Sequence, residues 1–300
     1  MDTMRDRFIA TTTRLLDDDP RLALLLAEIS KDGFQQALLR HPERVINVGI
    51  REQLLIGAGG GMALTGMRPI MHTFASFLVE RPFEQVKLDF GHQDVHGILV
   101  SAGGSYDWPA GGFTHMSPGD VALMDTLDGW TVHVPGHPDE AEALLRQAAA
   151  GDGSVYLRLS VHANTSPYAL GGGGGGGSTV LREGSRGVVV AVGPMLDNVL
   201  AATEGLDVTV LYATTVRPFD GEGLRRAVAG ARPDVVLVEP YLAGTSTAVA
   251  NDALAEVPHR VLGLGIARRE LRRYGSVDEH LAGQGLDPAT LRARIAAFLG

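Results

Sequence analysis

The sequence contains no cysteine, which excludes disulfides, thiolate catalysis and cysteine-ligated metal. Lysine is almost missing too: Lys31 and Lys87 are its two occurrences, so nearly all positive charge is arginine, and 26 basic against 35 acidic residues leaves a net charge of −9. No more than two basic residues are consecutive anywhere and the net charge is negative, so nucleic-acid binding is not expected. No apolar run approaches the roughly 20 residues that cross a bilayer. The amino terminus, "MDTMRDRFIATTTRLL", is charged throughout. A cytoplasmic protein that engages neither nucleic acid nor membrane is the expectation.

What is present is ample apolar material, 45% of 300 residues, enough for two cores. The first half alternates helix and strand patterns as parallel βα units do. Residues 4–16 read as a helix, "RLALLLAEIS" as a buried strand or helix end, and 44–49, 68–74, 96–102, 131–136 and 154–160 as strands. Helices are expected at about 51–65, 81–90 and 138–150, the last with Asp139 and Glu140 in its first turn, at the positive end of its dipole. Residues 166–183 then have the composition of a linker and include seven consecutive glycines, which as a free coil span on the order of 15 Å. The run is readable as native low complexity or as an engineered segment.

From 184 to 300 a second α/β unit follows, with strands at 187–193, 207–213 and 234–240 and a fourth in "HRVLGLG". A closing helix has Asp287 as its cap and Pro288 at its first position. The fold class is therefore α/β: two three-layer αβα domains with mainly parallel sheets.

One stretch resists this easy reading. "NVGIREQLLIGAGGGMALTG" starts a good helix yet places glycines at 57, 59, 60 and 61, each costing roughly 1 kcal/mol against alanine inside a helix. A dinucleotide fingerprint opens its helix directly after a strand, whereas these glycines lie within the helix. A bare face that admits a neighbouring helix, across a subunit interface, is the better explanation. His92 and His96 have the i,i+4 spacing of a metal pair, but flanking glycines break the helix that spacing presumes.

Glu52 stands where strand "RVINVG" meets the glycine-rich helix, the position at which open α/β sheets place ligand-binding groups. By position alone it is equally a helix-start carboxylate that complements the dipole. The wording around it decides between the two. "RVINVGIREQ", then "PIMHTFASFLVERPFEQV" and "GGFTHMSPGDVALM", resemble the pyrimidine-binding domain of transketolase and of deoxyxylulose-phosphate synthase. The resemblance makes residues 1–165 a pyrimidine-binding domain and 184–300 a transketolase C-terminal-like domain, with "LYATTVRPFD" and "VLVEPYLAGTSTAVA" as its strand-loop motifs.

The resemblance implies thiamine diphosphate as cofactor. Glu52 would contact its aminopyrimidine ring and donate the proton that prepares the cofactor for deprotonation, with burial leaving the carboxyl able to share it. Phe74, Phe77 and Ile50 would flank the ring. His115, in the place of the family's G-x-T-H-Q histidine, would face substrate and take part in catalysis, although Met116 replaces the glutamine. His72, His162 and Arg158 are further candidates for substrate contact. Arg158 would replace the phosphate-holding arginine that usually follows this strand, where Val161 and His162 stand instead. The usual acidic residue and glycine before the threonine-histidine pair are here Gly111 and Gly112, and no histidine precedes them in the loop "SAGGSYDWPAGGFTH". These departures put a sugar-phosphate donor in doubt.

The single G-D-G triplet, Gly151–Gly153, leads into the strand at 154–160 instead of following one, so the site for the diphosphate and its Mg2+ or Ca2+ is expected on a partner, the α subunit of a split transketolase. The chain would be the β subunit, transferring a two-carbon unit from a small-molecule ketose or oxoacid, as a homodimer or within an α2β2 heterotetramer. The alternatives are the β subunit of a 2-oxoacid dehydrogenase and a non-catalytic assembly subunit of the same fold.

Overall fold

The structure, a computed structural model, describes residues 2–171, 177–270, 272 and 274–300. The five central glycines of the seven-glycine run lie outside the described residues, and with them the expectation of a free coil. Strands β1 (Leu22–Leu26), β2 (Val45–Asn47), β3 (Arg68–Phe74), β4 (Ile98–Ala102), β5 (Trp130–His133) and β6 (Ser154–Arg158) precede that run. After it come β7 (Thr179–Arg182), β8 (Val188–Val192), β9 (Thr209–Ala213), β10 (Thr215–Arg217), β11 (Asp234–Leu242) and β12 (Arg260–Ile266).

The first sheet has the order β10-β5-β6-β4-β3-β1-β2 and the second β12-β11-β8-β9-β7. Both are parallel except at one edge, where β10 runs antiparallel to β5 and β7 antiparallel to β9. Strand β10 thus comes from the second half of the chain but completes the first sheet, and its Arg217 pairs with Asp125 there. Strand β7 corrects the linker reading at its far end. Residues 179–182, assigned to the linker by their neighbours' composition, are the edge of the second sheet.

Each sheet is covered on both faces, because its strands are apolar at consecutive positions rather than alternate ones. Leu22, Leu24 and Leu26 of β1 pack with Phe8 and Leu16 of the helix Met4–Asp18 and with Leu144 and Leu145 of the helix Pro138–Ala150. Leu25 of the same strand points the other way, towards Leu55 and Ile56 of the helix Glu52–Leu64 and towards Met71 and Phe90. The second sheet divides likewise, with Val189 and Val236 facing the closing helix Pro288–Leu299 and Val188 and Val235 facing Leu224 and Ala250. Asp287 caps that closing helix by accepting from the Thr290 backbone N–H at 3.0 Å. No helix among the described residues is long and apolar enough to cross a membrane.

The glycines of Glu52–Leu64 differ in their surroundings. A Cβ on Gly59 would stand 2.6 Å from Met71 Sδ, and one on Gly60 would stand 2.7 Å from the backbone oxygen of Asp89. The close approach is therefore made inside the chain, to β3 and to the helical segment Val86–His92, where a subunit interface was expected. A Cβ on Gly61 would meet nothing within 4 Å. Beside it Leu54 and Leu64 are exposed, as is Leu88 on the neighbouring segment.

The helix expected at 81–90 begins earlier, at Ser76. It winds in wide π turns over Ser76–Glu80 and Val86–His92 around a single α turn, Phe83–Gln85. Pro82 has no N–H to continue a regular ladder, and Arg81 N–H reaches back to the Ser76 carbonyl at 3.2 Å. His92 ends this segment, while His96 Nδ1 lies 3.1 Å from Ser154 Oγ.

Candidate active site

The carboxyl ends of β1, β3, β4 and β6 open onto one cleft, where parallel sheets place their ligands. After β2, Gly49 turns the chain with φ +71°, and Glu52 starts the glycine-rich helix. Its side chain is only 3% exposed. Arg81 Nη1 stands 2.8 Å from each Glu52 carboxylate oxygen. The same guanidinium lies 4.0 Å over the Phe77 ring. Glu52 therefore enters the site as half of an ion pair rather than as an isolated buried acid.

Four rings gather next to this pair. Phe74 and Phe77 meet edge to face at 6.1 Å, and His115 stands 5.5 Å from the first and 5.0 Å from the second. Trp108 stacks on Phe74 at 5.2 Å with the planes 10° apart and meets His115 edge-on at 4.6 Å. The half-buried His115 also has Nδ1 3.0 Å from Thr114 Oγ1. The structure thus brings together Glu52, Phe74, Phe77 and His115, which the sequence singled out from three separate segments. Ile50, two residues before Glu52, is 71% exposed.

Two expected substrate residues are corrected. His72 is 0% exposed in the middle of the first sheet. Its Nε2 lies 2.8 Å from Ser30 Oγ and its Nδ1 2.8 Å from the Val100 carbonyl, so both ring nitrogens are occupied by the protein. Burial holds its pKa down to about 3, and the ring is a neutral part of the core. Arg158 is also 0% exposed, with Nε donating to Asp120 Oδ2 at 2.7 Å and Nη2 to Ser105 Oγ at 2.6 Å. A guanidinium held in this way cannot reach a substrate phosphate. His162 lies against the second unit, near Pro194, Asp197 and Asp278, and burial lowers its pKa.

Three residues of the site were missed. Arg81 was visible in "VERPFEQV", but nothing in the sequence paired it with an acid 29 positions earlier. Trp108 was signalled by its setting, a large aromatic in a glycine-rich loop, where no core is at hand to explain it. Asp107 beside it is 6% exposed and lines the cleft with Phe74, Gly103, Trp108 and Ser160. The opposite wall includes Arg5, Ser30 and Lys31. Glu28 and Ser30, on the loop after β1, hold positive φ angles of 67° and 62°, strain of the kind that clusters at working sites.

Comparison with known proteins identifies the family of the chain. The family model of the transketolase pyrimidine-binding domain matches residues 3–165, and that of the transketolase C-terminal domain matches residues 176–291. The chain is 52% identical over 295 residues to an uncharacterized 33.6 kDa protein in the fasciation locus of Rhodococcoides fascians, covering 98% of this chain and 94% of that one. It is 29% identical over 279 residues to a 6-deoxy-6-sulfo-D-fructose transketolase subunit of Clostridium sp., covering 87% and 84%. Among solved structures, an inactive β4 tetramer of a split-gene transketolase superposes with a TM-score of 0.82 at 24% identity, over 99% of this chain and 98% of that one, which shows a shared fold. This chain belongs to the transketolase family, of which it carries the pyrimidine-binding and C-terminal domains.

Proposed function

We propose that this chain is the β subunit of a split transketolase-like enzyme, a transferase of two-carbon ketol units that works with thiamine diphosphate. The observation that carries the reading is the buried Glu52 carboxylate, set at a helix start beside Phe74, Phe77 and His115. That set fits an aminopyrimidine: an acid for the ring nitrogen and aromatic faces for the ring. Thiamine diphosphate, when bound, supplies an acidic thiazolium carbon able to accept a ketol unit.

Glu52 would hold a proton at the pyrimidine nitrogen, and Arg81 would keep the carboxylate oriented while its own guanidinium rests on Phe77. Phe74, Phe77 and Ile50 would border the ring, and Trp108 would shield it from water. His115 would hydrogen-bond the substrate. The one G-D-G triplet, Gly151–Gly153, precedes β6 at its amino end, so the partner α subunit would hold the diphosphate with Mg2+ or Ca2+. The complete enzyme would be an α2β2 assembly in the cytoplasm, with the open Gly61 face as one candidate for a subunit contact.

The donor is a ketose other than xylulose 5-phosphate, because Gly111 stands at the usual acidic position and Arg158 is held by Asp120. Arg5 and Lys31 on the cleft wall leave room for a different acidic group. The Clostridium relative is named for a sulfonated ketose. Replacing Glu52 by Gln in the assembled enzyme should lower turnover by about 10² to 10⁴, the usual loss of a general acid or base, with the fold intact. Turnover within about threefold of the parent would overturn the cofactor assignment.

A further inference from the structure

The loop that leaves β4 is shaped by the buried arginine beneath it. A Cβ on Gly104 would stand 2.5 Å from Arg158 Cζ, so only glycine lets the backbone lie on the guanidinium. Gly103 and Ser105, at φ 67° and 55°, turn the chain tightly on either side. The turn carries Asp107 back to the exit of β6, where the Val161 backbone N–H donates to Asp107 Oδ2 at 2.9 Å. The next residue, Trp108, stacks on Phe74, and a Cβ on Gly103 would touch the Phe74 ring at 3.1 Å. A carboxyl group is thereby built into the cleft wall one residue from the aromatic pair, although the loop has glycine where an acid usually precedes the threonine and histidine.

We propose that Asp107 is the substrate-contacting carboxyl of this site, hydrogen-bonding hydroxyl groups of a polyhydroxylated ketose beyond its two-carbon ketol unit, and so selects the donor. The inference rests on the ketol-transfer reading above. Chemistry at the position agrees with it. Burial raises the Asp107 pKa to about 7, against the opposing pull of Arg158 and of the Val161, Ser160 and His162 groups that hydrogen-bond it. Near neutral pH such a group both donates to and accepts from a sugar hydroxyl. The charged and titratable groups around it are Arg158 and Tyr106 on its own side and Arg5, Asp6, Glu28, Lys31 and Asp32 across the cleft.

Asp107→Asn separates this role from loop anchoring, because its amide oxygen can still accept from Val161. In the assembled enzyme, kcat/KM would be measured for L-erythrulose, which has a hydroxyl beyond the ketol unit, and for β-hydroxypyruvate, which lacks one. The proposal expects the ratio of the two values to shift at least tenfold against L-erythrulose. Folding raises the pKa of Asp107 from the usual carboxylate range to about 7, so its cost to the fold grows as pH rises from about 4 to about 7 and is fully present above that, and the variant's melting temperature at pH 8 should equal or exceed the parent's. An unchanged ratio, or equal losses for both donors together with a lower melting temperature, would overturn the proposal. A parent enzyme that transfers from neither donor would overturn the functional reading and this inference with it, whereas an active parent with an unaffected variant overturns the inference alone.

Discussion

Arg158→Met tests whether this arginine serves the substrate or the fold. Arg158 and Asp120 are each 0% exposed and 2.7 Å apart, and Asp120 also accepts from Tyr156 OH at 2.7 Å. Removing the guanidinium leaves a carboxylate in the core with one hydroxyl for company. Breaking a buried pair from one side costs about 3–5 kcal/mol, because the remaining charge has no compensation and no water. A domain of this size loses about 2–4 °C per kcal/mol, so the melting temperature should fall on the order of 10 °C. Asp120→Leu should fall by a similar amount from the other side, since it leaves the guanidinium buried without its acid. The double variant Asp120→Leu with Arg158→Met should recover much of the loss, since two apolar groups replace a pair whose desolvation nearly cancels its attraction. Calorimetric melting of the four proteins measures this cycle. If Arg158→Met melts within about 1 °C of the parent while KM for the donor rises tenfold, the arginine is a substrate ligand and the structural argument is wrong.

Two further outcomes follow from the same kind of reasoning. Gly60→Ala should destabilise the isolated chain by about 1–3 kcal/mol, because its Cβ meets a backbone carbonyl, whereas Gly61→Ala should stabilise it by up to about 1 kcal/mol. Melting curves distinguish the two, and equal effects would refute the assignment of Gly60 to an internal helix contact. Folding depresses the pKa of His72 to about 3, so its stabilising contribution is complete above the unfolded value near 6.5 and is lost as pH falls towards 3, at up to about 1.4 kcal/mol per pH unit. Denaturant titrations between pH 7 and 4 should show that slope flatten in His72→Gln, and an unaltered slope would count against a neutral buried ring.

The two sheets were legible because nearly all their strands are apolar runs bounded by turns, and β8, β9 and β11 needed no more than that. Strand β10 was not, since Thr215, Val216 and Arg217 are too few to carry a period and their partner β5 lies some eighty positions earlier. Strand β7 was hidden by the glycines before it, whose composition spoke louder than four residues of pattern. At the site, Glu52, Phe74, Phe77 and His115 could be named because each stands in a recognisable segment. His72 and Arg158 were misread for a common reason: alternation along a strand shows that a polar side chain faces one side, not what covers that side. Ser30 and Val100 cover His72, and Asp120 and Ser105 cover Arg158, all from other parts of the chain. Pairings such as Arg81 with Glu52 belong to the same class, fixed by topology rather than by spacing.

On the function proposed above, this chain supplies the ring-binding half of a thiamine diphosphate site and needs a partner for the rest. Charge-assisted contacts to diphosphate and magnesium are ordinarily stronger than one aromatic contact, so on the proposed division the chain alone would lack the larger share of the binding energy. Titration calorimetry of thiamine diphosphate with Mg2+ into the purified chain, alone and mixed with its α subunit, measures this directly, with ketol transfer assayed on the same samples. Weak binding and no transfer are expected of the chain alone, and tight binding with transfer of the mixture. Micromolar affinity together with ketol transfer by the chain alone would contradict the proposed division.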